Sequence, residues 1–284
     1  MLLTDTIRRY WRDQSFARSA LHVHLAPGEL AWLEKRGDQP VANTQGRLSL
    51  STMDGHWQAA LAALHVLLDE DDHKHRLPLA ISVASRWWPV LMAPWSDALL
   101  REPQAGQYLK TQMATQYGEP ARSWHVTADD AAYGGPRLVS GIDAALLQGL
   151  REAAREHGRR CLSIEPLLSA AWQHMGKAGM QALALLEPGR LLLAASSRGR
   201  IYAIHMQPCS GTWLRELPQA WQRWTLRRPE LARIAQVAVL NMSSETIAAA
   251  LLPALGAQFR MLDAPGLPGW QTGVVHAEPV AACA

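Results

Sequence analysis

The sequence of 284 residues contains little lysine, phenylalanine and cysteine, and its net charge is small. There are 4 lysines against 24 arginines and 2 phenylalanines against 12 tryptophans, a bias that indicates GC-rich coding before it indicates chemistry. The net charge is +3, and arginines alternate with acidic residues along most of the chain. Because nucleic-acid binders cluster their basic residues, this pattern argues against a nucleic-acid partner. The three cysteines have no metal-ligand spacing and fit a reducing compartment.

Long hydrophobic runs are also missing, although 48% of the residues are hydrophobic and 19% are charged, as in a folded globular protein. The longest apolar stretches, 183–186 and 191–195, are separated by Glu187, Pro188 and Gly189. Both are far shorter than the ~20 residues of a membrane-spanning helix. Charged residues near the N-terminus interrupt any signal-peptide core. The sequence therefore predicts a cytoplasmic protein without a transmembrane segment.

The order of predicted elements occurs twice along the chain. Each half shows three short strands joined by tight turns, then an amphipathic helix, a buried strand and a second helix. The predicted strands are 20–26, 29–35 and 46–51 in the first half, and 180–186, 191–197 and 200–207 in the second. The second half continues with helix 211–226, strand 236–240, helix 243–255 and strand 258–262. A duplicated unit of this size predicts an α/β protein with the two-lobed actin-like, ribonuclease H-like fold.

The domain boundaries follow from the same pattern. We predict an N-terminal helical extension at residues 1–18 and a first lobe formed by residues 19–88 together with 159–178. A subdomain at 89–158, containing a helix around 97–117, is inserted into this lobe. Residues 179–262 form the second lobe, and the Pro- and Gly-rich tail at 263–284 is predicted to be irregular.

The stretch from Arg137 to Met175 is the most clearly patterned part of the sequence. It predicts strand, helix, strand and helix, with Asp143 as the N-cap of the first helix and Gly158 at its end. Pro166 ends the second strand because it has no N–H, and it suits the first turn of the next helix. We interpret Glu165 and Pro166 as a structural junction between elements, so Glu165 is not predicted to be a catalytic acid.

This stretch, LVSGIDAALLQGLREAAREHGRRCLSIEPLLSA, resembles the PilM and GspL group of actin-like cytoplasmic components of type IV pilus and type II secretion assembly platforms. The hairpin LLEPGRLLLAASSRGRIYAIH is similar to the start of that group's second lobe, and the hairpin at residues 20–35 to the start of its first. Together these segments extend the resemblance in order over most of the chain. At the level of individual residues it is close only at 162–170.

Actin-like proteins that bind ATP use acidic, small and hydroxyl residues in the first hairpin turn of each lobe, and against that pattern the turns here are degenerate. The first turn, at Gly28, lacks the expected Asp and contains a proline. The second, at Glu187 and Gly189, also contains a proline, and the later turn at 240–244 lacks paired glycines. The resemblance therefore implies a pseudo-ATPase with no catalytic residue, no metal and no cofactor, ATP included, although weak residual nucleotide binding stays open.

The resemblance also implies a scaffold that binds the cytoplasmic tail of a bitopic, PilN-like inner-membrane assembly protein, with a motor ATPase as a further possible partner. Such a scaffold would be peripheral at the inner membrane and would reach the membrane only through its partner. The binding groove is expected beside the inserted subdomain, near Trp87, Trp88 and Trp95, because tryptophan often anchors such grooves. Packing in a buried core is the alternative interpretation of these three side chains.

A metal-dependent hydrolase is the main alternative from another functional class. His22 and His24 lie on one side of a predicted strand, and His73 and His75 follow an acidic run at 69–72. Imidazole and carboxylate groups of this kind can bind a divalent metal. The sequence does not show whether the two histidine pairs come together.

Overall fold

A computed structural model describes residues 19–50, 55–70, 77–177, 179–243, 247–248, 253–270 and 274–275. The predicted helical extension at 1–18 lies outside the described residues. The chain divides into two compact units at Ala170 and Ala171, and the segment Gly266–Gly269 belongs to the first unit. We call these units the first and the second lobe.

The described residues form sixteen strands and five α-helices. The strands of the first lobe are β1 (Ser19–Ala26), β2 (Glu29–Arg36), β3 (Gln39–Pro40), β4 (Gly46–Ser49), β5 (Leu79–Val83), β6 (Val90–Ala93), β7 (Trp124–Ala128), β8 (Arg137–Asp143) and β9 (Cys161–Pro166). The later strands are β10 (Ala182–Glu187), β11 (Arg190–Ser197), β12 (Arg200–Pro208), β13 (Val237–Asn241), β14 (Ile247–Ala248), β15 (Phe259–Met261) and β16 (Val274–Val275). The helices are α1 (Gln58–Glu70), α2 (Gln104–Tyr117), α3 (Ala144–Glu156), α4 (Leu167–Lys177) and α5 (Trp213–Arg227).

The main sheet of the first lobe has the order β3-β2-β1-β5-β9, and β4 pairs with β2. Strands β1 and β2 form an antiparallel hairpin, whereas β1, β5 and β9 run parallel. Apolar residues alternate along these strands, so Val23, Leu25 and Ile81 share one face. They form a core with buried residues of α1 and α3, among them Leu64 and Leu146. The opposite face of the sheet carries the polar residues described below.

The inserted part of the first lobe is a separate small layer. Its sheet has the order β6-β8-β7, all antiparallel. Buried residues of this sheet pack with Met113 of α2 in a small core of their own. Helix α3, by contrast, contributes Leu146 and Leu150 to the main core of the lobe. The predicted insertion at 89–158 includes α3, which packs with the main core of the lobe, whereas the separate layer ends with β8. The bounds of the insertion stay a prediction.

The second lobe repeats the arrangement of the first. Its sheet has the order β12-β11-β10-β13-β15, with an antiparallel meander β10-β11-β12 and parallel pairing of β10 with β13 and of β13 with β15. Helix α5 buries Trp213, Trp221 and Trp224 against this sheet. The same strand order in both lobes confirms the predicted duplicated two-lobed architecture.

Three local predictions differ from the structure. The helix predicted around 97–117 is a short 3-10 turn at Asp97–Leu100 followed by α2 from Gln104, because Pro103 disfavours helical backbone in the residue before it. No strand was predicted at Val90–Ala93, where β6 forms. Within the helix predicted at 243–255, Ile247–Ala248 instead forms a strand with Val274–Val275, while 244–246 and 249–252 lie outside the described residues.

Candidate functional site

A row of polar side chains crosses the first-lobe sheet near the carboxyl ends of its parallel strands. Strand pairing places His24 beside Ser82, and Ser82 beside Glu165. Residues directly opposite each other in paired strands project on the same face. The carboxyl ends of parallel strands are a common place for ligand sites in α/β proteins. We call His24, Ser82 and Glu165 the polar row.

Within the polar row, His24 and Ser82 are buried and bonded to each other. The Nδ1 atom of His24 lies 3.0 Å from Oγ of Ser82, which in turn donates to the Val23 carbonyl at 3.4 Å. Because the hydroxyl has one proton, its oxygen accepts a hydrogen bond from the ring. Burial lowers the pKa of His24 from 6.5 to about 4. A hydrogen bond to the Ser82 backbone opposes this shift, and the positive charge of Arg47 adds a smaller lowering effect. A neutral, donating imidazole does not activate this serine as a nucleophile.

Glu165 stands at the far end of the polar row, in the strand-to-helix junction that the sequence analysis singled out. Burial raises the pKa of Glu165 from 4.5 to about 7, and the positive charge of Lys35 offsets part of this effect. Such a shift is common at functional sites and also occurs in structural positions. Since Pro166 ends β9 and α4 begins at Leu167, the geometry agrees with the interpretation of a structural junction.

The same face of the sheet carries an ion pair that binds the segment Gly266–Gly269, which belongs to the first lobe although it follows residues of the second. Arg47 in β4 lies 2.8 Å from the carboxylate of Glu29. It also donates a hydrogen bond of 2.7 Å to the carbonyl of Gly269. A β-carbon placed on Gly269 would lie 3.1 Å from Glu29 and 3.5 Å from the ring of His24. The segment Gly266–Gly269 therefore covers the sheet next to the polar row.

The two hairpin turns that the resemblance assigns to phosphate binding both contain a proline followed by a glycine. Gly28 and Gly189 have φ values of 83° and 72°, which a residue without a side chain adopts freely. The Gly28 carbonyl accepts a hydrogen bond of 2.8 Å from Leu50. Glu187 is buried beside the second turn. The prolines supply no N–H group to either turn, which reduces the donors available to a phosphate.

The turn after β13 is closed by its own side chains. The Oδ1 atom of Asn241 accepts hydrogen bonds of 2.9 Å from the backbone N–H of Ser243 and 2.7 Å from its hydroxyl. The preceding backbone N–H, that of Met242, donates to the Leu186 carbonyl at 2.8 Å. Both side chains of the Asn-Ser pair are buried. In this conformation the polar groups of the turn are bonded within the second lobe.

The three tryptophans predicted at a partner groove occupy different surroundings. Trp87 and Trp88 are buried and belong to the main core of the first lobe. The ring N–H of Trp87 donates to the Gly55 carbonyl at 2.7 Å. Trp95 is half-buried, and its ring lies 4.7 Å from that of Tyr133, centroid to centroid. Core packing thus accounts for Trp87 and Trp88, while Trp95 lies nearer the surface of the insertion.

Sequence reasoning did not identify Tyr133, the most exposed large hydrophobic side chain of the insertion, with 78% of its surface accessible. It lies in the turn between β7 and β8. Asp129 fixes the base of this turn, since its carboxylate accepts from the Leu138 N–H at 2.8 Å and its carbonyl from Arg137 at 2.9 Å. The Trp95–Tyr133 pair, called here the aromatic pair, is therefore held at the surface on an anchored turn.

The two histidines His22 and His24 of the metal hypothesis lie on one face of β1, as predicted. They are two residues apart in the strand, and their partners in β2 are also two residues apart. His24, however, uses Nδ1 for Ser82. In the part of the chain that the structure describes, no three His, Cys, Asp or Glu side chains surround a common metal position. His73 and His75 lie outside that part, so the four-histidine set stays a prediction.

No family model matches the sequence, and no curated protein matches it. Solved structures do match. The cytoplasmic domain of EpsL, an inner membrane component of the type II secretion system of Vibrio cholerae, has a TM-score of 0.56 at 14% identity, covering 87% of this chain and 90% of its own. A chain of the PilM-PilN type IV pilus biogenesis complex has a TM-score of 0.58 at 13% identity, covering 90% of each chain.

A third match is a protein of unknown function from Bacteroides thetaiotaomicron with an actin-like ATPase fold, with a TM-score of 0.56 at 12% identity and coverage of 87% and 91%. The chain accordingly has the actin-like fold. The structural matches include a type II secretion component and a type IV pilus complex, the two systems of the PilM and GspL group that the sequence resembles. They confirm that resemblance at the level of the fold. Among the helices of the described residues, none has the length and hydrophobicity needed to cross a bilayer.

Proposed function

We propose that the protein is a cytoplasmic scaffold at the inner membrane, in an assembly of the type II secretion or type IV pilus kind. The observation that carries this proposal is the actin-like fold shared with the EpsL cytoplasmic domain and with the PilM-PilN complex over about nine tenths of the chain. In the proposed role the protein binds the cytoplasmic tail of a bitopic, PilN-like membrane protein. A motor ATPase is a second candidate partner.

The aromatic pair is the surface that we propose for the partner's tail. Aromatic side chains supply much of the binding energy of protein interfaces, and Tyr133 is exposed on an anchored turn. Leu100, also more than half exposed, lies in the same insertion. Trp87 and Trp88 are buried in the core of the lobe, so their effect on binding would be indirect.

Alanine at Trp95 or at Tyr133 is expected to weaken binding of the membrane partner about tenfold or more, as for hot-spot residues of other interfaces. The partner is first recovered from native membranes by affinity capture with the full chain. Binding of its synthetic cytoplasmic tail is then measured by fluorescence anisotropy. Leu226→Ala, at an equally exposed position of the second lobe, is the matched control and should bind like the wild type. Unchanged affinity in both aromatic variants would exclude this surface, and failure to capture any inner-membrane protein would contradict the scaffold role.

We further propose that the nucleotide site is degenerate. Two features support this: the prolines of the two hairpin turns and the Asn241–Ser243 hydrogen bonds. A phosphate would have to displace these contacts while finding fewer backbone donors than in an intact site.

Calorimetric titration with Mg-ATP is expected to show no binding in the micromolar range, and ATP turnover should not exceed the buffer background. An actin-like ATPase of known activity, titrated under the same conditions, verifies the assay. A micromolar dissociation constant for Mg-ATP would contradict the proposal of a degenerate site. It would not contradict the scaffold role, since a scaffold can also bind nucleotide.

A further inference from the structure

Two histidines from different helices meet on the outer side of the first lobe, away from the polar row. His65 lies in α1, and His157 directly follows α3. The Nδ1 atom of His65 is 3.2 Å from the Nε2 atom of His157, with ring centroids 5.3 Å apart. Both helices pack on the apolar face of the sheet, so this contact joins the two elements that cover the core.

A carboxylate fixes the proton position on His157. The Oδ1 atom of Asp69 lies 3.2 Å from its Nδ1 atom. Because a carboxylate accepts, Nδ1 of His157 carries hydrogen, and in the neutral ring Nε2 presents its lone pair to His65. An imidazole whose outer nitrogen donates to a carboxylate is the usual arrangement of a metal-ligating histidine. His157 is thus already in the tautomer that a metal requires.

The distance between the two facing nitrogens also suits a metal ion. Two imidazoles bound to Zn²⁺ at about 2.0–2.1 Å and a tetrahedral angle have their nitrogens about 3.3 Å apart. The observed separation is 3.2 Å. The two nitrogens are therefore already at the separation that a bound metal requires. The ion would lie to one side of the line that joins them, so both rings would tilt toward it on binding. His65 would shift its proton from Nδ1 to Nε2 and remain a neutral ligand, so no net proton is released.

A third ligand is within reach. The Oε2 atom of Glu156 lies 3.9 Å from Nδ1 of His65, and this side chain is about half exposed. In a tetrahedral site the same two atoms would be about 3.3 Å apart, so a small rotation of Glu156 completes three protein ligands. This rotation reconciles the proposal with the conformation described, in which no three ligands of the described residues yet surround one point.

We propose that His65, His157 and Glu156 form a site for a late first-row divalent metal ion, Zn²⁺ above all, with water as the fourth ligand and Asp69 as the outer partner of His157. Two imidazoles and one carboxylate favour Zn²⁺, Ni²⁺ or Cu²⁺ and not Mg²⁺ or Ca²⁺. The bound ion clamps α1 to α3. This site is independent of the proposed scaffold role and of the four-histidine hypothesis.

The test is a Zn²⁺ titration of the full chain in competition with a chromogenic chelator, with Mg²⁺ as the negative control ion. The wild type should bind one more Zn²⁺ than His65→Ala or His157→Ala. His56→Ala, an exposed histidine of the same lobe, should bind like the wild type. Asp69→Asn changes an exposed side chain and should lower the affinity about 10- to 100-fold while leaving the fold intact.

Thermal unfolding gives a second measurement that does not depend on counting ions. Zn²⁺ should raise the Tm of the wild type and of His56→Ala, and should leave the Tm of His65→Ala and His157→Ala unchanged. Circular dichroism of the metal-free variants checks their folding. The site does not exist if the wild type binds no Zn²⁺ or if His65→Ala binds the same number of ions with the same affinity. If Asp69→Asn binds like the wild type, the outer partner is wrong.

Discussion

Alanine at Trp224 is expected to destabilise the second lobe by about 3–5 kcal/mol, the usual cost of removing a buried aromatic side chain. Trp224 in α5 is 4% exposed and packs edge to face on Trp221 with ring centroids 5.5 Å apart. It also stacks on His205 of β12 at 6.2 Å. Its removal leaves a cavity between helix and sheet that neither neighbour can fill without leaving its own contacts.

Hydrogen exchange measured by mass spectrometry locates this loss. Amides of α5 and of β10–β12 should exchange much faster in Trp224→Ala, and urea should unfold the second lobe at a lower concentration. Leu226→Ala, two residues further along the same helix and 76% exposed, should change stability by less than about 0.5 kcal/mol. Equal protection in the two variants would show that α5 does not pack on the sheet as described.

The second large effect concerns pH and the polar row. Glutamine at Glu165 is expected to stabilise the protein above pH 7 and to leave it unchanged below pH 4.5. Burial raises the pKa of Glu165 in the fold from 4.5 to about 7. The folded state therefore binds more protons than the unfolded state between these values, so stability falls as the pH rises through this range. The full difference amounts to at most about 3 kcal/mol.

His24 acts in the opposite direction over nearly the same range. Its pKa in the fold is lowered from 6.5 to about 4. Between these values the unfolded state binds the additional proton, so the stability contributed by His24 is present above pH 6.5 and is lost as the pH falls toward 4. In the wild type the contributions of Glu165 and His24 nearly cancel between pH 4.5 and 6.5. Glu165→Gln should therefore become steeply less stable over this interval on acidification.

Urea denaturation at several pH values between 4 and 8 measures this change as a difference between variant and wild type. Glu152→Gln replaces an exposed carboxylate on α3 and is the matched control. A pH-independent difference for Glu165→Gln would mean that the carboxyl group of Glu165 has the same pKa in the folded and the unfolded state.

The duplicated architecture could be predicted because its signals are local. Strand alternation, the turns at Gly28 and Gly189 and the apolar stripes of α3 and α5 depend on neighbours within a few residues. The length of the insertion could not be predicted in this way. Its end depends on whether Leu146 and Leu150 pack on α1 or on the small sheet, and the same apolar stripe serves either partner.

The candidate sites show the same division between local and distant information. The alternation in β1 correctly placed His22 and His24 on one face. It could not show that the Ser82 hydroxyl, 58 residues away in sequence, forms a hydrogen bond with His24. Likewise, the pairing of Trp95 with Tyr133 joins residues whose separation in sequence has no helical or strand period. His65 and His157 are 92 residues apart. Such contacts become visible only when the order of strands and helices in space is known.

The position of Gly266–Gly269 has a consequence for how the chain can be divided. Because this segment belongs to the first lobe and is bonded there to Arg47, the first lobe is encoded by two stretches separated by residues 171–265 of the second lobe. A recombinant fragment ending at Ala170 would leave the sheet face beside Glu29 and His24 uncovered. A first lobe intended for separate expression would need the Gly266–Gly269 segment rejoined to it by a linker in place of residues 171–265, to keep all of its contacts.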